Sequence, residues 1–119
     1  MNKMSDPLIL FVILRRDLQF SAGAVIAQAC HATSLVVFKH AAHENVLDYF
    51  KDFNELRKVM LEVKNEAALL KVSEALKSAR YIHELWREQP ENEITALAIL
   101  PYKRSDELRQ LLKKCQLYK

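Results

Sequence analysis

The chain is poor in the residues that punctuate loops. It has one glycine, Gly23, and three prolines in 119 residues. That composition excludes a Gly/Ser or proline-rich linker, a low-complexity tract and a collagen-like repeat. No internal repeat is visible. Without a linker, a chain of this length suits one hydrophobic core, so residues 1–119 read as a single domain. Cysteine is scarce too. Cys30 and Cys115 lie far apart and belong to no C-x-x-C spacing, so no disulfide framework is expected and a reducing compartment fits. Neither sign of charge dominates: 18 Lys and Arg face 15 Asp and Glu, for a net charge of +3. This permits contact with phosphate without demanding it. The apolar run Leu8–Leu14 is far too short to span a bilayer. Lys3 ahead of it loosely imitates a signal peptide, but Asp6-Pro7 and Arg15-Arg16-Asp17 bracket the run and no small-x-small cleavage site follows. The expectation is a cytosolic protein with no membrane partner.

What is present is half apolar and 28% charged, the balance of a soluble globular chain. Leu8–Leu14 is apolar at every position, as in a central strand covered on both faces. Ser21 suits a helix N-cap, and the alanine-rich stretch from Ala22 to about Ala42 predicts a mostly buried helix. Gln28 and His31, three apart, share a face of it. A short helix follows over 44–53, with Val46, Leu47, Phe50 and Phe53 as its apolar side. Residues 57–63 alternate, predicting an edge-like strand with Val59, Leu61 and Val63 on one face. Asn65 caps a helix whose stripe is Leu69, Val72 and Leu76. Strands over 81–87 and 94–100 flank a turn at Gln89-Pro90-Glu91-Asn92, and Ser105 caps a last helix.

The order β-α-α-β-α-β-β-α predicts an α/β fold. Helical connections favour parallel pairing, and the short third connection favours a hairpin. The two wholly apolar strands, the first and fourth, belong together at the centre. The expectation is a four-stranded mixed sheet in a three-layer α/β/α arrangement, ordered 2-1-4-3, with strand 4 antiparallel. In that arrangement the Asp17–Gly23 loop, the start of the first helix and the Glu88–Asn92 turn meet at one edge. Open α/β sheets bind ligands there, and a helix N-terminus offers unpaired N–H groups to an anion.

Arg15-Arg16-Asp17-Leu18 and Ala27-Gln28-Ala29-Cys30-His31-Ala32 resemble the pattern of the type-2 peptidyl-tRNA hydrolase superfamily, in which a strand ends in R-x-D-L and a helix carries A-Q-x-x-H-A. The element order and the Leu117-Tyr118 ending extend the resemblance over essentially the whole chain. The stretch 85–92, Leu-Trp-Arg-Glu-Gln-Pro-Glu-Asn, is similar to the branch of peptidyl-tRNA hydrolase domain-containing proteins. The resemblance implies a three-layer α/β/α fold, frequent homodimers, and hydrolysis of the ester joining a peptide to the terminal ribose of tRNA. The sequence also departs from the pattern. The family's loop usually reads G-K-G-K with a lysine thought catalytic, whereas here it is Ser21-Ala22-Gly23-Ala24. An aspartate and a threonine of the family's later turn are replaced by Glu88 and Asn92.

Ester hydrolysis needs an activated water and a stabilised oxyanion. Glu88 is the candidate base, on the expectation that partial burial raises its pKa. Asn92 and the N–H groups of Ala22, Gly23 and Ala24 are candidate oxyanion donors. His31 is a second base or a ligand for a ribose or phosphate oxygen, Asp17 an orienting group, and Gln28 a substrate contact. Arg15, Arg16 and Arg87 lie near the expected edge as substrate-binding cations. Each has a plainer role: Asp17 capping a loop, Gln28 and His31 as a satisfied core pair, Glu88 in a surface ion pair with Arg87, Asn92 in a turn. His31, His40, His43 and Cys30 invite a metal reading, but the spacing is weak and no metal or other cofactor is expected. Trp86 reads as sheet-edge packing more readily than as a base-stacking platform. Three functions therefore stand open: an esterase acting on peptidyl-tRNA, a tRNA- or protein-binding module without catalysis, and a structural dimer partner.

Overall fold

The computed structural model describes residues 6–119, so Lys3 lies outside the described residues. The chain runs β1 (Leu8–Arg15), α1 (Ala22–Lys39), α2 (Glu44–Tyr49), β2 (Lys58–Val63), α3 (Glu66–Ser78), β3 (His83–Glu88), β4 (Glu93–Ile99), β5 (Tyr102–Lys103), α4 (Asp106–Leu111) and β6 (Gln116–Leu117). β1 lies at the centre, parallel to β2 (Ile13 opposite Leu61) and antiparallel to β4 (Ile13 opposite Leu97). β3 and β4 form the antiparallel hairpin.

Among the described residues the sheet has six strands, not four. Its order is β3-β4-β1-β2-β6, with β5 pairing the start of β1. The expected 2-1-4-3 arrangement is therefore incomplete, and β2 is not an edge. Tyr118 N donates to Met60 O at 2.9 Å, tying the chain end alongside β2. Two-residue strands carry no period-two signal, yet they satisfy backbone groups of β1 and β2 that would otherwise be unpaired.

The apolar character of β1 follows from packing on both faces. Leu10, Val12 and Leu14 join Ala32 and Val36 of α1 and Val46 and Tyr49 of α2 on one side. On the other, Ile13 meets Leu69, Val72 and Leu76 of α3 and Leu108 of α4. β4 divides in the same way, with Ala96 and Ala98 toward α1 and Leu97 and Ile99 toward α3.

α1 corrects the expectation of a mostly buried helix. Gln28, Ala32 and Val36, spaced four apart, are its buried residues, whereas Ile26 is 63% and Phe38 85% exposed. A sheet face covers one stripe of a helix, and nothing among the described residues covers the other. α2 stops at Tyr49, and Val46 and Tyr49 are its buried residues. Leu47, Phe50 and Phe53, expected to face inward with Val46, are exposed.

Candidate functional site

The carboxyl end of β1 delivers Arg15, whose side chain is almost fully buried. Its Nε and Nη2 donate to the two carboxylate oxygens of Asp17 at 3.0 and 2.9 Å. Nη1 donates to Glu93 Oε1 at 3.2 Å and to the Ile94 carbonyl at 3.0 Å. Glu66, at the first turn of α3, lies 3.8 Å from the same nitrogen. A guanidinium so enclosed is a strut, not a free substrate contact. Its hydrogen bonds hold the Asp17 carboxyl below the usual carboxylate range, against a smaller opposing effect of burial. Asp17 is therefore anionic at neutral pH, and its carboxylate faces Arg15.

Ser21 fixes the start of α1: its Oγ accepts from Ala24 N at 3.2 Å and its carbonyl from Val25 N at 3.0 Å. The Ala24 amide is thereby engaged, so it is not the free donor expected. The N–H groups of Ala22 and Gly23 remain without a protein partner among the described residues. No carboxylate occupies the first turn to offset its positive field. A Cβ built at Gly23 would meet nothing within 4 Å, so this turn borders open space.

About two turns further on, α1 meets β3. The His31 ring stacks on Trp86 with centroids 4.7 Å apart and an interplanar angle of 26°. Trp86 Nε1 donates to Glu88 Oε1 at 2.9 Å. Residues two apart on a strand share a face, which is why the indole and the carboxylate meet. This leaves Glu88 Oε2 without a protein partner among the described residues.

Gln28 is buried and accepts from Thr95 Oγ1 at 2.6 Å. Thr95 owes its direction to a register shift. Trp86 pairs with Ala96 but Arg87 with Ile94, so Thr95 is the extra residue of a bulge in β4. Strict alternation would aim it with Leu97 and Ile99 toward α3, whereas the bulge turns it to α1.

Asn92 adopts a left-handed backbone, φ 58°, which asparagine tolerates. Its Oδ1 accepts from Arg87 Nη1 and Gln89 Nε2, each at 3.4 Å, leaving its amide N–H groups to donate elsewhere. Arg87 also donates to the Asn92 carbonyl and so holds the turn. Arg16 stands apart, exposed, 4.8 Å from the Tyr118 ring centre and 3.6 Å from Glu62.

The arrangement brings His31 to Glu88 through Trp86, and Gln28 to Thr95. No hydrogen bond joins Asp17 to His31, Glu88 or Asn92 among the described residues. The link is indirect: Glu88 lies opposite Glu93 in the β3–β4 ladder, and Glu93 accepts from Arg15. Trp86 and Thr95 were missed as members of the site. Thr95 had a signal, being the one hydroxyl in the apolar run 94–100. The histidines that invited a metal reading are otherwise engaged. His40 Nε2 is 2.8 Å from Glu84, and His43 Nδ1 caps α2 by accepting from Asn45 N.

A mixed sheet with helices on both faces, and polar side chains gathered where α1 crosses the β3–β4 hairpin at Gln28 and His31, defines an α/β protein with a candidate site on that side of the sheet. The family model described as Peptidyl-tRNA hydrolase PTH2 matches residues 8–118, and the chain belongs to that family. It is 38% identical to the human protein named "Putative peptidyl-tRNA hydrolase PTRHD1", covering 94% of this chain and 83% of that one, and equally so to the mouse protein of that name. A Methanothermobacter thermautotrophicus protein named "Peptidyl-tRNA hydrolase" is 32% identical, covering 76% of this chain and 82% of that one.

Proposed function

We propose that this protein hydrolyses the ester between a peptide and the terminal ribose of tRNA, without a cofactor and in the cytoplasm. The observation that carries the reading is the row His31–Trp86–Glu88 between α1 and β3, on the same helix whose first turn, capped by Ser21, borders open space at Gly23. In this mechanism Glu88 Oε2 takes a proton from water as the water attacks the ester carbonyl. Collapse of the tetrahedral intermediate then breaks the bond to the ribose oxygen, which leaves as the hydroxyl of the tRNA with the proton returned by Glu88, and the peptide is freed as its carboxylic acid. Trp86 fixes the other oxygen and so the direction of the carboxylate. The N–H groups of Ala22 and Gly23, with the amide of Asn92, receive the developing oxyanion. His31 contacts a ribose or phosphate oxygen, and Asp17, held by Arg15, positions the loop before α1. The Gln28–Thr95 bond fixes the helix against β4. Arg87 braces the turn that presents Asn92.

Alanine at both lysine positions of the family loop removes a charge that would favour the oxyanion. Losing one such donor lowers a rate by about 10²–10³-fold where it has been measured, so slow turnover is expected. The test is release of labelled peptide from a model peptidyl-tRNA. Glu88→Gln preserves size and hydrogen bonding, and a variant as fast as an active wild type overturns the mechanism.

The alternative is a tRNA- or protein-binding module that keeps the fold without the chemistry. The lysine-free first turn favours it. No release above buffer by the wild type, with release restored by Ala22→Lys or Ala24→Lys, decides for that reading. Pairing of two copies belongs to either reading. The exposed, uncharged Ile26, Cys30 and Phe38 on α1 support it.

A further inference from the structure

A second feature lies on the other face of the sheet. A cavity of about 700 Å³ runs between α3 and the α4–β6 segment, starting where β1 and β2 end. Its lining includes Arg16, Lys64, Lys71, Lys113 and Lys114. Glu62 is the one carboxylate among its lining residues, and it already lies 3.6 Å from Arg16 and accepts from Lys119 N. None of the four lysines has a carboxylate within ion-pair distance among the described residues. On the α1–α2 side the pattern is reversed. Lys39 pairs with Glu84, Lys51 with Asp48, and the exposed surface is apolar at Ile26, Phe38, Leu47 and Phe53.

Four unpaired ammonium groups gathered in one concave surface repel one another and favour an anion that spans them. The trough follows α3 from Asn65 to Ala75, about 15 Å at 1.5 Å per residue. That length suits several consecutive phosphates of a strand rather than a single one. Its mouth is at Arg16, the residue after the Arg15 strut, so it opens at the same carboxyl edge as the ester site. We infer that this trough binds the phosphate backbone of an RNA whose 3′ end reaches the edge site. For the identity of that RNA the inference rests on the peptidyl-tRNA reading.

The probe is a fluorescent RNA hairpin reproducing an acceptor stem with a single-stranded 3′ end and no peptide. Its binding is followed by anisotropy from low to physiological salt. Each phosphate contact contributes roughly 0.7–0.9 to the slope of log affinity against log salt, so replacing all four lysines with alanine flattens the slope by about three. Affinity at low salt falls at least about tenfold in the same variant. The four-arginine variant retains both, which separates lost charge from lost fold. Lys39→Ala with Lys51→Ala, on the opposite side, leaves binding unchanged. Equal affinity and slope for the four-alanine variant and the wild type overturn the inference, as does a wild type that does not bind the hairpin at low salt. Lysine-dependent binding to phosphatidylserine vesicles, with hairpin binding unaffected by the substitutions, also overturns it by assigning the trough to a lipid headgroup. The two readings fail separately. Lysine-dependent RNA binding without peptide release leaves the trough standing and removes the esterase. Peptide release with RNA affinity untouched by the substitutions does the reverse.

Discussion

Thr95 and Gln28 show how one buried polar contact fixes a site. The 2.6 Å bond joins a helix to a sheet in a region that is otherwise apolar. Thr95→Val keeps the shape and removes the donor, leaving the Gln28 carbonyl oxygen unpaired in the core. The expected loss is about 1–3 kcal/mol, read from urea unfolding midpoints. A change of a few tenths contradicts the assignment. Asp17 offers a pH-dependent counterpart. Its carboxyl titrates below its ordinary value because Arg15 holds the anion, so its contribution to stability is fully present above the unfolded carboxyl's range, near pH 4. It fades as pH falls through the lower folded value. Asp17→Asn is therefore less stable than wild type at neutral pH, by an amount reduced through solvent screening because Asp17 is 40% exposed. The deficit shrinks toward acid, and a pH-independent difference in melting temperature rules the linkage out.

At the scale of the element, α1 owes its frame to a single hydroxyl. Ser21→Ala removes the Ala24 cap and is expected to lower stability by about 1 kcal/mol, whereas Ser21→Gly costs only a few tenths. Thermal melts of the two variants check the ordering. Gly23 carries no left-handed backbone requirement and has open space around it. Gly23→Ala is therefore expected to raise stability by about 0.4–1 kcal/mol, because the glycine's extra unfolded freedom is lost. A destabilised variant would mean that this turn is tighter than described. β3 has its own reporter, since Trp86 is the chain's one tryptophan. His31→Ala uncovers one face of its ring, and its emission should shift to longer wavelength.

Across the whole molecule, the distribution of surface character separates two faces. The α1–α2 side is apolar and its lysines are paired, whereas the α3–α4 side carries the unpaired lysines. If two copies associate, the apolar side is the one to bury, since joining two lysine troughs would place like charges together. Phe38, 85% exposed, is its most accessible aromatic. Phe38→Lys is expected to shift a dimer toward monomer in sedimentation while leaving hairpin RNA affinity per chain unchanged. A wild-type monomer at all concentrations, or a dimer indifferent to Phe38→Lys, excludes this surface.

The sequence by itself determined what depends on local pattern. Leu8–Leu14 and 94–100 are apolar at nearly every position, and a strand buried on both faces has no other composition available to it. Ser21, Asn65 and Ser105 cap helices because a short side-chain oxygen reaches a backbone N–H within the same turn. The motif at Arg15-Arg16-Asp17-Leu18 and 27–32 likewise sufficed for the family. Tertiary structure decided what depends on neighbours distant in the chain. The two-residue strands β5 and β6 exist because β1 and β2 have backbone groups to satisfy, not because Tyr102-Lys103 or Gln116-Leu117 favour extension. α1 looked buried all round because alanine-rich periodicity cannot say how many faces will be covered. Arg15, expected to face substrate, was enclosed by carboxylates from residues as far away as Glu93, and Thr95 was turned toward Gln28 by a bulge. Hydrogen bonds between residues dozens of positions apart leave no period in the sequence. They arise only when the sheet has brought its strands into register.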